Sequence, residues 1–358
     1  MNKNTKQLHD LGVSLWLDNI TRKMLDEGVL QHYIDELTVT GLTSNPSIFE
    51  AAIAKTDFYD TAIQKISVPG ISDEELFFTL AVEDIRRAAD LFLPVYIRTN
   101  GLDGFVSIEV PPGLAYDTEN TIKAAVDIYQ KVGRPNVYIK IPGTPQGLPA
   151  IEKVIAEGIP VNVTLLFSAE QYEAAAEAWL KGIETRLKKG QDPRVNSVAS
   201  VFVSRWDKAV SGVATPEMQN TLGIAVMHRT YSAYKKFLAS SGVQRAMNLG
   251  AFPQRLLWAS TGTKDPNASD VLYVASLVTP FTVNTIPENT LLAWADHGKT
   301  GEYLPDNTTE ADKIIAGFEK LGVNYASLAE KLQTEGAEAF KKSWDNLIGS
   351  IGGKRKVF

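Results

Sequence analysis

Short apolar runs and longer amphipathic stretches alternate along most of the chain, and that alternation predicts its elements. Eight short runs read as strands: Ser14–Asp18, Glu36–Thr40, Gly104–Val110, Val137–Ile141, Val161–Leu166, Val198–Val203, Arg255–Ala259 and Tyr273–Val278. The stretches between them carry helix punctuation. Ser72 with Glu75 and Ser168 with Gln171 have capping-box spacing, and Thr215-Pro216-Glu217 reads as a cap followed by Pro at the first helical position. Gly133, Gly158 and Gly190 stand where helices should end. Strands alternating with helices imply parallel pairing through right-handed crossovers. Eight such units predict an α/β fold, a single (β/α)8 TIM barrel. An open doubly wound sheet ranks second, because no G-x-G-x-x-G or P-loop follows the early strands.

No linker rich in Pro, Gly or Ser divides the chain, so residues 1–358 read as one domain with its core from about 8 to 300. The region beyond about 310 reads as helices, Ala311–Leu321, Tyr325–Glu335 and Ala337–Ile348, added onto the barrel.

Composition narrows the chemistry. The net charge of −6 is spread without long blocks, which argues against nucleic acid as a main partner. The Gly-Gly-Lys-Arg-Lys run at 352–356 reads as a solvated tail. With no cysteine, thiolate nucleophiles, disulfides, Fe–S clusters and Cys-based zinc sites are excluded. His9, His32, His228 and His297 are far apart, and no H-E-x-x-H motif makes them metal ligands. No signal-peptide core and no run of membrane-spanning length is present, so the expected location is cytoplasmic.

Lys140 changes the picture. It lies inside N-V-Y-I-K-I-P-G, an apolar strand, where an unpaired charge is costly to desolvate. Polar residues recur at or just after the other strands. They are Asp18, Asn45, Glu109, the pair Asn162 and Thr164 on one strand face, and Ser200 with Arg205 beyond it. Each alone has an ordinary explanation. Asp18 or Asn45 could cap a helix, Glu109 and Lys140 could form a buried ion pair, and the amides and hydroxyls could be interior hydrogen-bonding groups. Together they bring a lysine and two carboxylates to one end of a barrel. That set suits amine chemistry on a carbonyl: a desolvated lysine becomes nucleophilic and forms a Schiff base, while carboxylates move protons during C–C cleavage.

The stretches G-L-T-S-N-P-S-I-F, Y-I-K-I-P-G-T-P-Q-G-L-P-A-I and V-N-V-T-L-L-F-S make the chain resemble the transaldolase family, most closely its longer bacterial type. The likeness runs from about residue 8 to about 300. It implies Lys140 as the Schiff-base nucleophile, Asp18 as the base for the hydroxyl whose C–C bond breaks, and Glu109 as an acid/base working through a water positioned by Thr164. It further implies Asn45, Asn162 and Ser200 as partners of the dihydroxyacetone hydroxyls, and Arg205 as a phosphate ligand. The implied reaction moves a dihydroxyacetone unit from sedoheptulose 7-phosphate or fructose 6-phosphate to an aldose phosphate. That is a step of the non-oxidative pentose phosphate pathway, with sugar-phosphate substrates and neither metal nor organic cofactor.

One segment departs from the family. Where many members carry A-S-F-R after the seventh strand, this chain has A-S-T-G-T-K, with Ser260, Thr261 and Lys264. Lys264 either replaces the missing arginine, with Ser260 adding a hydroxyl, or is a solvated loop lysine. Phe202, where fructose-6-phosphate aldolases resemble a version with Tyr, leans toward transfer over release of dihydroxyacetone. Such an aldolase, and a non-catalytic sugar-phosphate-binding barrel, are the competing functions. Monomer and homodimer both remain open.

Overall fold

The computed structural model describes residues 1–356. Eight parallel strands close into a barrel in sequence order: β1 Val13–Asp18, β2 Val39–Thr43, β3 Val106–Glu109, β4 Val137–Pro142, β5 Val161–Leu166, β6 Ser197–Phe202, β7 Arg255–Ala259 and β8 Thr282–Ile286, with β8 pairing back onto β1. Successive side chains point alternately to the helices and to the barrel interior. The outward set, such as Leu15, Leu17, Ile139, Ile141 and Val163, is fully buried under the surrounding helices. Inside, an aromatic layer fills the lower barrel: Phe105 stacks on Tyr138 at 4.2 Å, and Trp16 lies 5.9 Å from the same ring. Gly41 makes room for that layer, since a Cβ there would stand 2.6 Å from Nε1 of Trp16. The next inward positions toward the C-terminal ends are polar, and they form the floor of the site.

Two strands differ from the sequence-based expectation. β2 begins at Val39 rather than Glu36, because the preceding helix Val29–Glu36 runs to its last polar residue and Thr38, at φ +57°, makes the turn. The apolar run Tyr273–Val278 is not β8. Leu272–Ser276 is a short helix whose Tyr273 hydroxyl donates to Asp207, and β8 is the later T-V-N-T-I segment, in register with Val13–Leu17. A short apolar run without period does not separate buried strand from buried helix.

The helix punctuation holds in part. Ser72 and Glu75 form a complete capping box. Ser168 accepts from the Gln171 amide, but the Gln171 side chain reaches Phe167 instead of closing the box. Thr215-Pro216-Glu217 opens only the single 3₁₀ turn Pro216–Met218, without a side-chain cap. Gly133, Gly158 and Gly190 follow helix ends with φ of +60°, +89° and +65°.

The C-terminal region is less divided than expected. After Thr309–Lys320, one unbroken helix of 31 residues runs from Tyr325 to Arg355. Its far end is docked, which corrects the expected solvated tail. Lys354 donates to the Thr56 carbonyl at 2.6 Å and pairs with Asp60, and Arg355 pairs with Asp73 at 2.5 Å and donates to the Ile71 carbonyl. Among the described residues, no helix is long and apolar enough to cross a membrane.

Candidate active site

The C-terminal ends of β1, β3, β4, β5 and β6 bring most of the expected residues together. Glu109 and Lys140 are register partners on adjacent strands, as are Lys140 and Asn162. Lys140 is 6% exposed and Glu109 7%. The Lys140 ammonium lies 3.6 Å from Glu109 Oε2, too far for a good hydrogen bond, and donates instead to the Ser44 carbonyl at 2.9 Å. Both Glu109 oxygens, and Oγ1 of Thr164, are buried without a hydrogen-bond partner in the protein. A buried carboxylate left without donors raises the question of what satisfies it, and bound substrate or water is the usual answer.

Burial pushes the Glu109 carboxyl up from its ordinary value, and the nearby Lys140 charge only partly offsets this. Asp18, partly open to the mouth at the end of β1, is also pushed up by desolvation. Lys140, a hydrogen bond from Thr43 at 2.8 Å and the charge of Lys264 pull it back in part. Burial thus shifts both carboxyl groups beside the amine toward their neutral forms, which suits them to donate as well as accept protons.

Asn162 and Ser200 also meet. Ser200 donates to Asn162 Oδ1 at 2.6 Å, and the Asn162 amide donates to Ser107 Oγ at 3.2 Å. In turn Ser44 Oγ donates to the Ser107 carbonyl at 2.8 Å, which ties the loop that accepts from Lys140 to the same strand. Thr164, still in register with Pro142 of β4, lies at an irregularity of β5, where pairing with β6 shifts between Val163 and Leu166 and Leu165 adopts φ +58°. A left-handed leucine costs about 1–2 kcal/mol, a kind of strain that clusters at functional sites.

Asn45 keeps its ordinary role. It caps the helix Pro46–Ala54, its Oδ1 accepting from the Ile48 amide at 3.1 Å and from Ser47 at 2.6 Å. Those bonds engage only the oxygen, so its amide NH₂ remains a donor, and Asn45 lines one small cavity with Ser44 and Glu109.

The expected phosphate ligands lie at the rim rather than on the floor. Arg205, in the first turn after β6, is half-buried and stands 5.7 Å over the Phe202 ring. Among the described residues its guanidinium makes no hydrogen bond or ion pair, and Glu335 is the carboxylate whose charge it feels; burial pulls its pKa down. Ser260, just past β7 at φ +57°, shares a 2.8 Å hydrogen bond with Ser204. Lys264 is exposed on the following loop, and its charge acts weakly on Asp18. Phe202 packs against Phe167 at 5.3 Å and Phe340 at 6.4 Å.

Several site residues were not singled out in the sequence. Ser107 was legible, two positions before Glu109 and therefore on its face. Thr43 and Thr285, whose hydroxyls lie 2.6 Å apart and buttress Asp18, sit on the two strands whose positions the sequence misjudged. Phe340, 5.8 Å from the Lys140 nitrogen, comes from the C-terminal helix and had no local signal.

Comparison with known proteins shows the family. The family model described as transaldolase/fructose-6-phosphate aldolase matches residues 15–351. A relative named transaldolase from Thermobifida fusca (strain YX) is 44% identical, covering 98% of this chain and 98% of its own length. A second, from Arthrobacter sp. (strain FB24), is 43% identical over 99% of this chain and 98% of its own. A third, from Trichodesmium erythraeum (strain IMS101), is 41% identical over 98% and 97%.

Proposed function

Because the chain belongs to the transaldolase/fructose-6-phosphate aldolase family and acts as a transaldolase, we propose that Lys140 carries the reaction as its imine-forming amine. The observation that carries this reading is a buried amine 3.6 Å from a buried carboxylate whose oxygens have no partner in the protein. Lys140 first gives up a proton, and Glu109 is the adjacent acceptor. The amine then adds to the ketose carbonyl. Glu109, held toward its acid form, returns a proton to the carbinolamine hydroxyl, which leaves as water and yields the iminium; the Thr164 hydroxyl orients that water.

Asp18 next takes the proton of the hydroxyl carried by the far carbon of the bond to be broken. As the C–C bond breaks, its electrons move into the iminium and leave an enamine, while the aldose phosphate departs. An incoming aldehyde is attacked by the enamine, Asp18 gives the proton to the new alkoxide, and hydrolysis frees Lys140. Asn45, Asn162 and Ser200 hold the hydroxyls of the three-carbon unit. The donor is a ketose phosphate such as sedoheptulose 7-phosphate or fructose 6-phosphate. The family resemblance further suggests the non-oxidative pentose phosphate pathway and a cytoplasmic setting.

Arg205 and Lys264, with Ser260, form the phosphate end in this reading. Phosphate contacts hold substrate and transition state alike, so losing them should mainly raise KM. Arg205→Ala should raise KM for fructose 6-phosphate by roughly 10- to 150-fold, since a charge-assisted hydrogen bond contributes about 1.5–3 kcal/mol. Lys264→Ala should do so by less, because an ammonium offers a point charge where guanidinium offers a fork. Steady-state kinetics with phosphorylated and unphosphorylated sugars check both, and an unchanged KM for Lys264→Ala would make that lysine a bystander.

Phe202 bears on the choice between transfer and release. Its ring sits where a Tyr hydroxyl could activate water, so Phe202→Tyr should raise acceptor-independent cleavage of fructose 6-phosphate relative to transfer. Parallel assays with and without erythrose 4-phosphate read that ratio; no change would mean that Phe202 only packs the rim. The experiment that tests the function itself is transfer from fructose 6-phosphate to erythrose 4-phosphate, which a non-catalytic sugar-phosphate-binding barrel does not perform.

A further inference from the structure

The C-terminal helix Tyr325–Arg355 crosses the mouth of the barrel, with one continuous stripe turned inward. Gln333, Gly336, Ala337, Trp344, Leu347 and Ile351 are buried at helical spacing, and the half-buried Phe340 lies between them. Each end of the crossing is fixed. Gln333 is buried and donates to two strand-end carbonyls, of Gly143 at 3.1 Å and Leu165 at 2.9 Å. Gly336 lets the helix backbone lie directly on the β5 irregularity, since a Cβ there would stand 2.9 Å from Leu165 Cδ2. Past the mouth, Trp344 packs edge-on against Phe77 at 5.0 Å, and Lys354 and Arg355 pair with Asp60 and Asp73.

Between these anchors Phe340 is placed over the chemistry. Its ring centroid is 5.8 Å from the Lys140 nitrogen, and the ring also packs against Phe202. Five residues earlier, Glu335 is the carboxylate whose charge acts on Arg205. The helix therefore spans from the rim that faces phosphate to the amine that faces the carbonyl. Anchors at both ends make this crossing a fixed wall of the site.

We propose that Phe340 is a positioning residue that partitions the three-carbon intermediate toward transfer, by walling the Lys140 nitrogen off from water. The inference rests on Lys140 being the imine-forming residue. Release of free dihydroxyacetone requires two events after C–C cleavage. The enamine carbon takes a proton from an acid, and water then adds to the resulting iminium carbon, so that the C–N bond breaks and the amine is returned to Lys140. Transfer requires neither event before the acceptor aldehyde arrives. An apolar ring against the nitrogen removes the space from which water would approach, and its face favours the cationic iminium at the same atom. Phe340 thus closes the nitrogen from the C-terminal helix, with Phe202 of β6 packed against it at 6.4 Å.

The test is the ratio of free dihydroxyacetone to transferred product, measured with fructose 6-phosphate at fixed erythrose 4-phosphate. This ratio does not depend on how much of a variant is folded. Phe340→Ala should raise it by roughly tenfold or more, the change that about 1.4 kcal/mol of relative barrier produces. Phe340→Leu, which keeps most of the apolar bulk, should stay close to the wild-type ratio. Borohydride trapping at Lys140 runs alongside. An unmoved ratio in Phe340→Ala, with trapping intact, overturns this inference and leaves the role of Lys140 standing. Absence of trapping at Lys140 in the wild-type protein overturns the imine reading and this inference with it.

Discussion

Replacing Lys140 by arginine should abolish transfer from fructose 6-phosphate to erythrose 4-phosphate, a loss of roughly 10⁶-fold or more that returns the reaction toward its uncatalysed rate. The guanidinium never gives up its proton under working conditions and has no free amine lone pair with which to add to a carbonyl. The substitution is informative because it keeps a cation opposite Glu109. Removing the cation would leave a buried carboxylate unpaired and would confuse loss of chemistry with loss of fold, a penalty of about 3–5 kcal/mol. With arginine in place, a thermal transition close to wild type together with no turnover isolates the missing nucleophile. A coupled assay of the variant that retains measurable transfer would remove Lys140 from the centre of the reaction.

Asp18→Asn and Glu109→Gln should each lower the rate by roughly 10²–10⁴-fold, the range of general acid–base catalysis, but they should fail at different steps. Glu109 lies beside the amine, so its loss should slow imine formation itself. Asp18, set on β1 and held by Thr43, should be dispensable for imine formation and required for cleavage; its variant should accumulate a trappable intermediate. Equal accumulation at equal rates would show that the two carboxylates do not divide the work. The variants also carry a stability signature. Burial raises the Asp18 pKa in the fold, so the wild-type protein is favoured by this group at low pH, where both folded and unfolded forms are protonated. That contribution is lost as pH rises from the ordinary carboxylate value through the raised one. Asp18→Asn should therefore melt at or above the wild-type temperature at neutral pH, with the gap closing toward pH about 4. A variant markedly less stable than wild type at pH 7 would mean that Asp18 is a structural support.

Much of the site was legible because its polar residues interrupt apolar strands. Lys140, Glu109, Asn162, Thr164 and Ser200 sit at inward positions, and period-two alternation places them there without tertiary information. The barrel followed from the alternation of strand and helix. What failed has specific physical causes. Tyr273–Val278 is as apolar as a buried strand but is used as a short helix, while β8 mixes threonine and asparagine with its apolar residues and was passed over. That error hid Thr285, and the three-residue displacement of β2 left Thr43, at its end, unread.

The wall over the amine was illegible for a different reason. Phe340 lies 200 positions from Lys140 in sequence, and nothing local distinguishes it from a residue facing another helix. Gly336 looked like a break between two helices, yet the same residue permits close approach of one helix to Leu165. The basic run at 352–356 looked like a tail, and only the positions of Asp60 and Asp73 make it an anchor. Lys264 stands between these cases: its exposure fits a solvated loop, and no signal in the sequence separates that from a substitute for the missing arginine.

The central claim, that Lys140 forms a covalent imine with a ketose phosphate, is tested most directly by borohydride reduction in the presence of fructose 6-phosphate, followed by peptide mass analysis. Reduction converts the imine to a stable secondary amine, so the peptide containing Lys140 should gain the mass of the reduced three-carbon unit or of the intact sugar phosphate. The same peptide should be unmodified without substrate, and in Lys140→Arg no lysine should be labelled. Labelling of a different lysine, or active protein that turns over the substrate while Lys140 stays unmodified, would contradict the account.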